Sequence, residues 1–338
     1  GADDGADDGA DDGADAYAAY AAPGAYFAEA DAAPVLVHAQ FAMLLPGPHV
    51  DAAALRELAT RGLVTNSTIP TARIDPGRQT KAKPGFYGAF AVVGAFSHSG
   101  AAFGISHMEA KGMDAKCEII LEKCYKALHD GAGCRAALAN ALVGFYLGCG
   151  GIMNDLSGDG LHKAPPSVYE GTSNALSVAS GRASYVLGMT GPCWTVDTAC
   201  SSSLVALHSA AGGLRNDECP KAAVSGASLN VASVTSAFAA AGMLSGLGRC
   251  HTFDRRGDGY CRGEGVGAFV LEDDAGSVAS RGTSVQQDGA SASLTAPNGS
   301  SQRRLIASID APRTCLEAHG TGTALGDPIE VGAASGAV

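Results

Sequence analysis

W-T-V-D-T-A-C-S-S-S-L-V-A-L-H-S-A, residues 194 to 210, joins a strand pattern to a helix pattern through a single cysteine. A short apolar strand stops at Cys200, and three serines open an amphipathic helix over 201–211. A cysteine at a helix N-terminus meets free N–H groups and the positive end of the helix dipole. Both stabilise thiolate and turn the sulfur into a nucleophile near neutral pH, and the same amides can face an oxyanion. The plainer alternative is a buried cysteine in a small-residue turn.

On either side of this segment strand and helix patterns alternate. V-L-V-H-A-Q-F-A-M-L-L from Val35 reads as one buried strand running into Pro46-Gly47-Pro48. Asp51 can cap a helix carrying Leu55 and Leu58 that Gly62 closes. Met113, Cys117, Ile120, Leu121, Cys124 and Leu128 form one face of a longer helix punctuated by Asp114 and Gly131. Strands are expected at 142–147, 193–197, 222–228 and 264–271, with helices near 173–183 and 301–309. This order favours an α/β layered fold over a bundle or a sandwich.

The second chemical signal is L-E-A-H-G-T-G-T-A-L-G-D-P-I-E at 316–330. His319 stands where a strand end meets a Gly-Thr loop, followed by a Pro-started helix. A neutral imidazole there can donate to a carbonyl oxygen, and the hydroxyls of Thr321 and Thr323 can bind an amide-rich ligand. A turn histidine bonded to backbone is the alternative. Between the two segments lies G-R-C-H-T-F-D-R-R-G-D-G-Y-C-R-G-E-G at 248–265. Its Arg249, Arg255, Arg256 and Arg262 read either as a seat for an acidic partner or as a salt-bridged loop. Asp254 and Glu264 read as loop-fixing acceptors, and His208 as structural, two turns beyond Cys200.

Composition sets the outer limits. The 338 residues carry 34 acids against 23 bases, for a formal charge of -11, which argues against nucleic acid as a partner. Seven of the acids fall in the first 15 residues, where G-A-D-D repeats can bury nothing and repel one another, so that segment is expected to be disordered. The Ala-rich stretch 17–33 that follows reads as a linker or a docking segment. The 46 glycines, about twice the usual share, follow no collagen period and point to tight turns. No apolar run is long enough to span a bilayer, so the chain reads as soluble, in cytoplasm or an organelle stroma, with the compartment open. Ten cysteines without C-x-x-C pairs read mostly as reduced core residues, and no metal site is expected.

Taken together, D-T-A-C-S-S-S, E-A-H-G-T-G-T and the 248–265 segment resemble the β-ketoacyl synthase family, specifically the ketosynthase domains of modular (type I) polyketide synthases. F-G-I-S at 103–106 with Met113-Asp114, G-T-S-N-A-L-S-V-A-S-G-R-A-S-Y at 171–185, A-G-M-L-S at 241–245 and L-T-A-P-N-G at 294–299 follow in order. The resemblance covers about 34–338 and leaves 1–33 as a tail. It implies a thiolase-like αβαβα fold of two half-repeats, the first over about 34–272 and a partial second over about 283–338. It further implies that Cys200 accepts an acyl group, that His319 is the first of two catalytic histidines, and that Thr321 and Thr323 contact a phosphopantetheine arm. The chemistry implied is condensation of the Cys200-bound acyl group with a malonyl-derived unit, with loss of carbon dioxide. Substrates would be phosphopantetheine-linked acyl thioesters with no bound cofactor. The implied partners are an acyl carrier protein and a second copy or a larger assembly.

Two departures qualify the resemblance. The sequence stops at Val338, ahead of the family's K-x-x-x-G-H segment, so the second half-repeat reads as truncated and the second histidine as absent from this chain. The usual G-M-A turn is H-A-Q at 38–40. A scaffold subunit derived from a ketosynthase, or a transferase that only loads, are therefore the rival readings.

Overall fold

The computed structural model describes residues 35–37, 42–46, 52–61, 65–68, 87–89, 100–132, 134–150, 169, 172, 175–272, 278–309 and 315–337. The tail expected over 1–33, Asp51 and Gly62 lie outside them. A seven-stranded mixed sheet forms the centre. Its strands are β1 (Val35–Val37), β2 (Ala42–Leu44), β5 (Val143–Cys149), β6 (Cys193–Val196), β7 (Lys221–Ser228), β9 (Gly265–Glu272) and β10 (Val278–Ser280). β5 lies between β6 and β7 and is parallel to both, while β7 pairs antiparallel with β9. A small second sheet joins β3 (Asn66–Thr68), β4 (Tyr87–Ala89) and β8 (Arg262–Gly263).

β5 shows why this sheet sits in the middle of the molecule. Every residue of V-G-F-Y-L-G-C is buried, as expected of a parallel strand covered on both faces. Phe145 and Leu147 point into one core with Ile120, Leu121 and Leu128 from helix α3 (Ala115–Ala132) and Ala183 and Leu187 from α5 (Leu176–Leu187). Tyr146 points the other way, into Ala206, Ala210, Ala211 and Leu214 of α6 (Ser202–Arg215). Period-2 alternation in the strand thus feeds two helical layers. The remaining helices are α1 (Ala52–Arg61), α2 (His107–Gly112), α4 (Arg135–Leu138), α7 (Ala232–Ala240), α8 (Gly299–Ala307) and α9 (Gly326–Ala337), with α8 packed against α9.

Of the run from Val35, residues 35–37 and 42–44 form strands that both pair antiparallel with β9, Val37 opposite Leu271 and Ala42 opposite Ala268, and 38–41 lie outside the described residues. Two expectations need correcting in detail. Met113 precedes the long helix, which starts at Ala115. Asp114 caps the start of that helix, its Oδ1 accepting from the Lys116 N–H at 2.6 Å, and Met113 is still buried in the same core. The helix expected near 173–183 runs on to Leu187 and stops where Gly188 turns left-handed, φ 76, with its N–H on the Ser184 and Tyr185 carbonyls.

α6 approaches β5 closely because Gly148 has no side chain. A Cβ there would stand 2.4 Å from the Ser202 carbonyl carbon and 2.5 Å from the Ser203 nitrogen, both backbone atoms. Gly148→Ala is therefore expected to cost about 3 kcal/mol, read by denaturant unfolding. A midpoint equal to the wild type would show that α6 moves freely away from the sheet.

Candidate active site

Cys200 owes its position to the end of β6. The strand stops at Val196, Ala199 takes a left-handed conformation at φ 55, and the chain enters a 3-10 turn, Ala199–Ser201, that leads into α6. The α-helix itself starts at Ser202, one residue later than its expected start. Side chains stabilise this elbow. Asp197 Oδ1 accepts from the Ala199 N–H at 3.0 Å, and the Ser202 hydroxyl accepts from the Thr198 N–H at 2.8 Å while donating to the Ala199 carbonyl at 2.7 Å. The Cys200 side chain is left exposed at the end of the central sheet.

His319 reaches the same place from 119 positions further along the chain. Its Nε2 lies 3.7 Å from Cys200 Sγ. The hydrogen bond with His319 is the main influence that draws the Cys200 thiol below its ordinary range; the imidazole's charge and the amides of Cys200 and Ser201 add to it, and partial desolvation opposes them. The same hydrogen bond is the main influence holding His319 protonated to higher pH, reinforced by Cys200 itself and by the carboxylates of Glu330 and Asp327. The pair is thus biased towards thiolate and imidazolium.

The loop that carries His319 is pinned by two carboxylates of α9. Glu330 spans it, with Oε1 accepting from the His319 N–H at 2.6 Å and Oε2 from the Gly320 N–H at 2.8 Å. Buried Asp327 accepts from the Gly322 N–H at 3.0 Å and from the Phe253 N–H at 2.7 Å. From the other side the Thr252 hydroxyl donates to the Gly320 carbonyl at 2.6 Å. Gly320 and Gly322 have φ 53 and 71, and a Cβ on Gly320 would meet Thr252 Cγ2 at 2.5 Å. Both glycines are needed for conformation and for clearance.

These carboxylates escaped the sequence reading, where D-P-I-E counted only as a helix start. The available signal was Asp327 and Glu330 three apart on one face of a helix directly after a Gly-Thr loop rich in free N–H groups. Glu330→Ala leaves two loop amides without their acceptor, for an expected loss of about 2 kcal/mol in denaturant unfolding. Wild-type stability in that variant would show that the carboxylate does not seat the loop.

The other residues singled out by sequence fall into place around this pair. The hydroxyls of Thr321 and Thr323 lie 3.0 Å apart, and Thr323 Oγ1 also accepts from the Gly326 N–H at 3.0 Å at the start of α9. His208 stays within its own neighbourhood, with Nδ1 2.8 Å from Thr283 Oγ1, and burial lowers its pKa. Asp254 binds Arg256 through both carboxylate oxygens, Glu264 accepts from the Asn230 N–H, and Arg262 donates to Thr235 while lying over the Phe238 ring. Arg249 and Arg255 remain exposed. All ten cysteines are free: Cys117, Cys124, Cys149 and Cys219 are buried, Cys193, Cys250 and Cys261 half-buried, and Cys134, Cys200 and Cys315 exposed. Among the described residues, no helix is long and apolar enough to cross a membrane.

A cysteine presented at the end of one of the parallel strands, in a sheet covered by helices on both faces and met by a loop histidine, is the thiolase-like arrangement. The β-ketoacyl synthase N-terminal domain model matches residues 41–276 and the corresponding C-terminal domain model residues 278–338, and the chain belongs to the β-ketoacyl synthase family, in its modular polyketide branch. It is 43% identical over 260 residues to the polyketide synthase GfsB of Streptomyces halstedii, covering 70% of this chain and 5% of that protein. An erythronolide synthase of Saccharopolyspora erythraea is 42% identical over 249 residues, covering 68% of this chain and 8% of the synthase. The solved ketosynthase from module 6 of the bacillaene synthase of Bacillus subtilis 168 superposes with a TM-score of 0.79 at 29% identity, over 90% of this chain and 54% of that one. The chain therefore spans a small fraction of the curated synthases it resembles and about half of the solved ketosynthase.

Proposed function

We propose that this chain carries the acyl-accepting part of a polyketide ketosynthase, taking an acyl group from a phosphopantetheine thioester onto Cys200 and passing it into condensation with a malonyl-derived unit. The observation that carries this reading is the 3.7 Å approach of Cys200 Sγ to His319 Nε2 with opposed shifts in the two groups' proton affinity. The thiolate attacks the thioester carbonyl carbon and the oxyanion forms beside the Cys200 N–H. Collapse then expels the pantetheine thiolate, which takes up a proton, and leaves an acyl-Cys200 thioester. In the second half-reaction the malonyl unit loses carbon dioxide while the imidazolium of His319 faces the developing enolate oxygen, and the enolate carbon then attacks the acyl carbonyl carbon, breaking its C–S bond and releasing the Cys200 thiolate. Thr321 and Thr323 would receive the amides of the pantetheine arm, which requires one hydroxyl of their mutual pair to turn outward. An acyl carrier protein is the donor in this scheme, with exposed Arg249 and Arg255 available to an acidic surface. The working unit is a homodimer or a larger synthase.

Incubation with a short acyl thioester, followed by intact mass and peptide mapping, tests the reading. The expected product is one acyl adduct on Cys200. Exposed Cys134 and Cys315 serve as internal comparisons. Acylation of those two while Cys200 stays unmodified would overturn the proposal.

A further inference from the structure

Two thiols that the acyl-transfer chemistry does not use meet at the ends of the loop that supports His319. Cys250 and Cys261 bracket residues 251–260, and the Cys261 N–H donates to Cys250 Sγ at 3.1 Å. The Cys250 thiol in turn faces the Cys261 carbonyl at 3.8 Å. With an N–Cα bond of about 1.5 Å, Cys250 Sγ stands within about 4.6 Å of the Cys261 Cα. Rotation about the Cys261 Cα–Cβ bond moves its sulfur relative to that of Cys250, the motion that closure of a disulfide requires. The Cys261 thiol currently faces the Arg262 carbonyl at 3.9 Å, and both cysteines are free and half-buried.

The bracketed loop does mechanical work for the site. Thr252 donates to the Gly320 carbonyl, the Phe253 N–H donates to Asp327, and the Gly259 N–H donates to the Gly322 carbonyl at 3.1 Å. Three of its residues thus hold the loop that presents His319, directly or through Asp327. A covalent link between its ends would limit how far that support can open.

We propose that Cys250 and Cys261 form a reversible disulfide that staples the support of the His319 loop, with a peroxide as oxidant. One thiol is oxidised by hydrogen peroxide to a sulfenic acid, releasing one water. The other sulfur then attacks it, the S–S bond forms, and the hydroxyl leaves as a second water with the remaining thiol proton. Two electrons pass from the sulfur pair to the peroxide, and a dithiol reverses the step. Burial, with Cys250 adding to it, pushes the Cys261 thiol up to about 11, so closure is slow at neutral pH and quickens as pH rises. The proposal stands apart from the acyl-transfer reading, because neither sulfur touches Cys200 or His319 in any hydrogen bond described above.

The test uses the Cys200→Ala protein, so that the reactive nucleophile does not consume oxidant. After hydrogen peroxide the intact mass should fall by about 2 Da, and a cross-linked peptide should join positions 250 and 261. The thermal midpoint should rise by about 5 °C, and dithiothreitol should reverse each change. The same chain with Cys261→Ser added should show none of them. Three results would overturn the proposal: both thiols still open to alkylation at a peroxide dose that oxidises exposed Cys134, either thiol paired with another cysteine, or progression to sulfinic acid without a cross-link.

Discussion

Cys200→Ala is expected to lower acyl loading from thioesters by about 10⁴-fold or more, to the limit of detection by intact mass. The size of the effect follows from geometry. The sulfur stands at the end of β6, exposed and 3.7 Å from the imidazole, and among the described residues none of the other nine cysteines shares that pairing. Cys134 and Cys315 are exposed and have no hydrogen-bonded histidine among the described residues, and Cys117 and Cys124 are driven well above the ordinary thiol range by burial. The fold should hardly notice the change. An exposed side chain trimmed at an elbow that Asp197 and Ser202 stabilise should shift stability by less than about 0.5 kcal/mol. An alanine variant that still gained the adduct would place the nucleophile elsewhere.

The second large effect is at His319. Because the hydrogen bond to His319 is the main influence lowering the Cys200 pKa, His319→Ala should move the inflection of Cys200 alkylation with iodoacetamide to higher pH. The sign is fixed by the partner. Loss of a group that favours the thiolate leaves more protonated thiol at neutral pH, so the rate near pH 7 falls, while at high pH the variant and the wild type converge. Loading should therefore be recoverable at raised pH. Decarboxylation of a malonyl thioester, which in the proposed mechanism uses the imidazole itself, should stay depressed by roughly 10²–10⁴-fold at every pH. An alkylation profile unchanged by the substitution would refute the thiolate–imidazolium pair, whatever happened to turnover.

Much of this arrangement was legible in the sequence because its signals are local. A strand ending in D-T-A-C-S-S-S needs no distant information to be read as an elbow, and the uninterrupted apolar run before Cys149 announces a strand covered on both faces. The register of β1 and β2 against β9 was not legible, since it depends on a partner strand far along the chain. The roles of Asp327 and Glu330 were hidden for a similar reason. Their partners are backbone amides, which every residue but proline carries and which leave no mark in a sequence. Cys250 and Cys261 escaped notice as a pair because ten intervening residues follow no helical or strand period. The rival readings, a scaffold subunit or a transferase that only loads, gain no support from the family and structural comparisons.

The left-handed backbone at Ala199 bears on where selectivity can reside. An L-residue at φ 55 carries about 1–2 kcal/mol of conformational strain, sustained by the hydrogen bonds of Asp197 and Ser202 and by the fit of α6 against Gly148. The sulfur's direction is thus set during folding. In the acyl transfer proposed above, every donor would meet the same pre-aimed nucleophile, so discrimination between acyl groups would come from the walls they pass along and from how long their carrier stays docked, with little left for the attacking atom to decide.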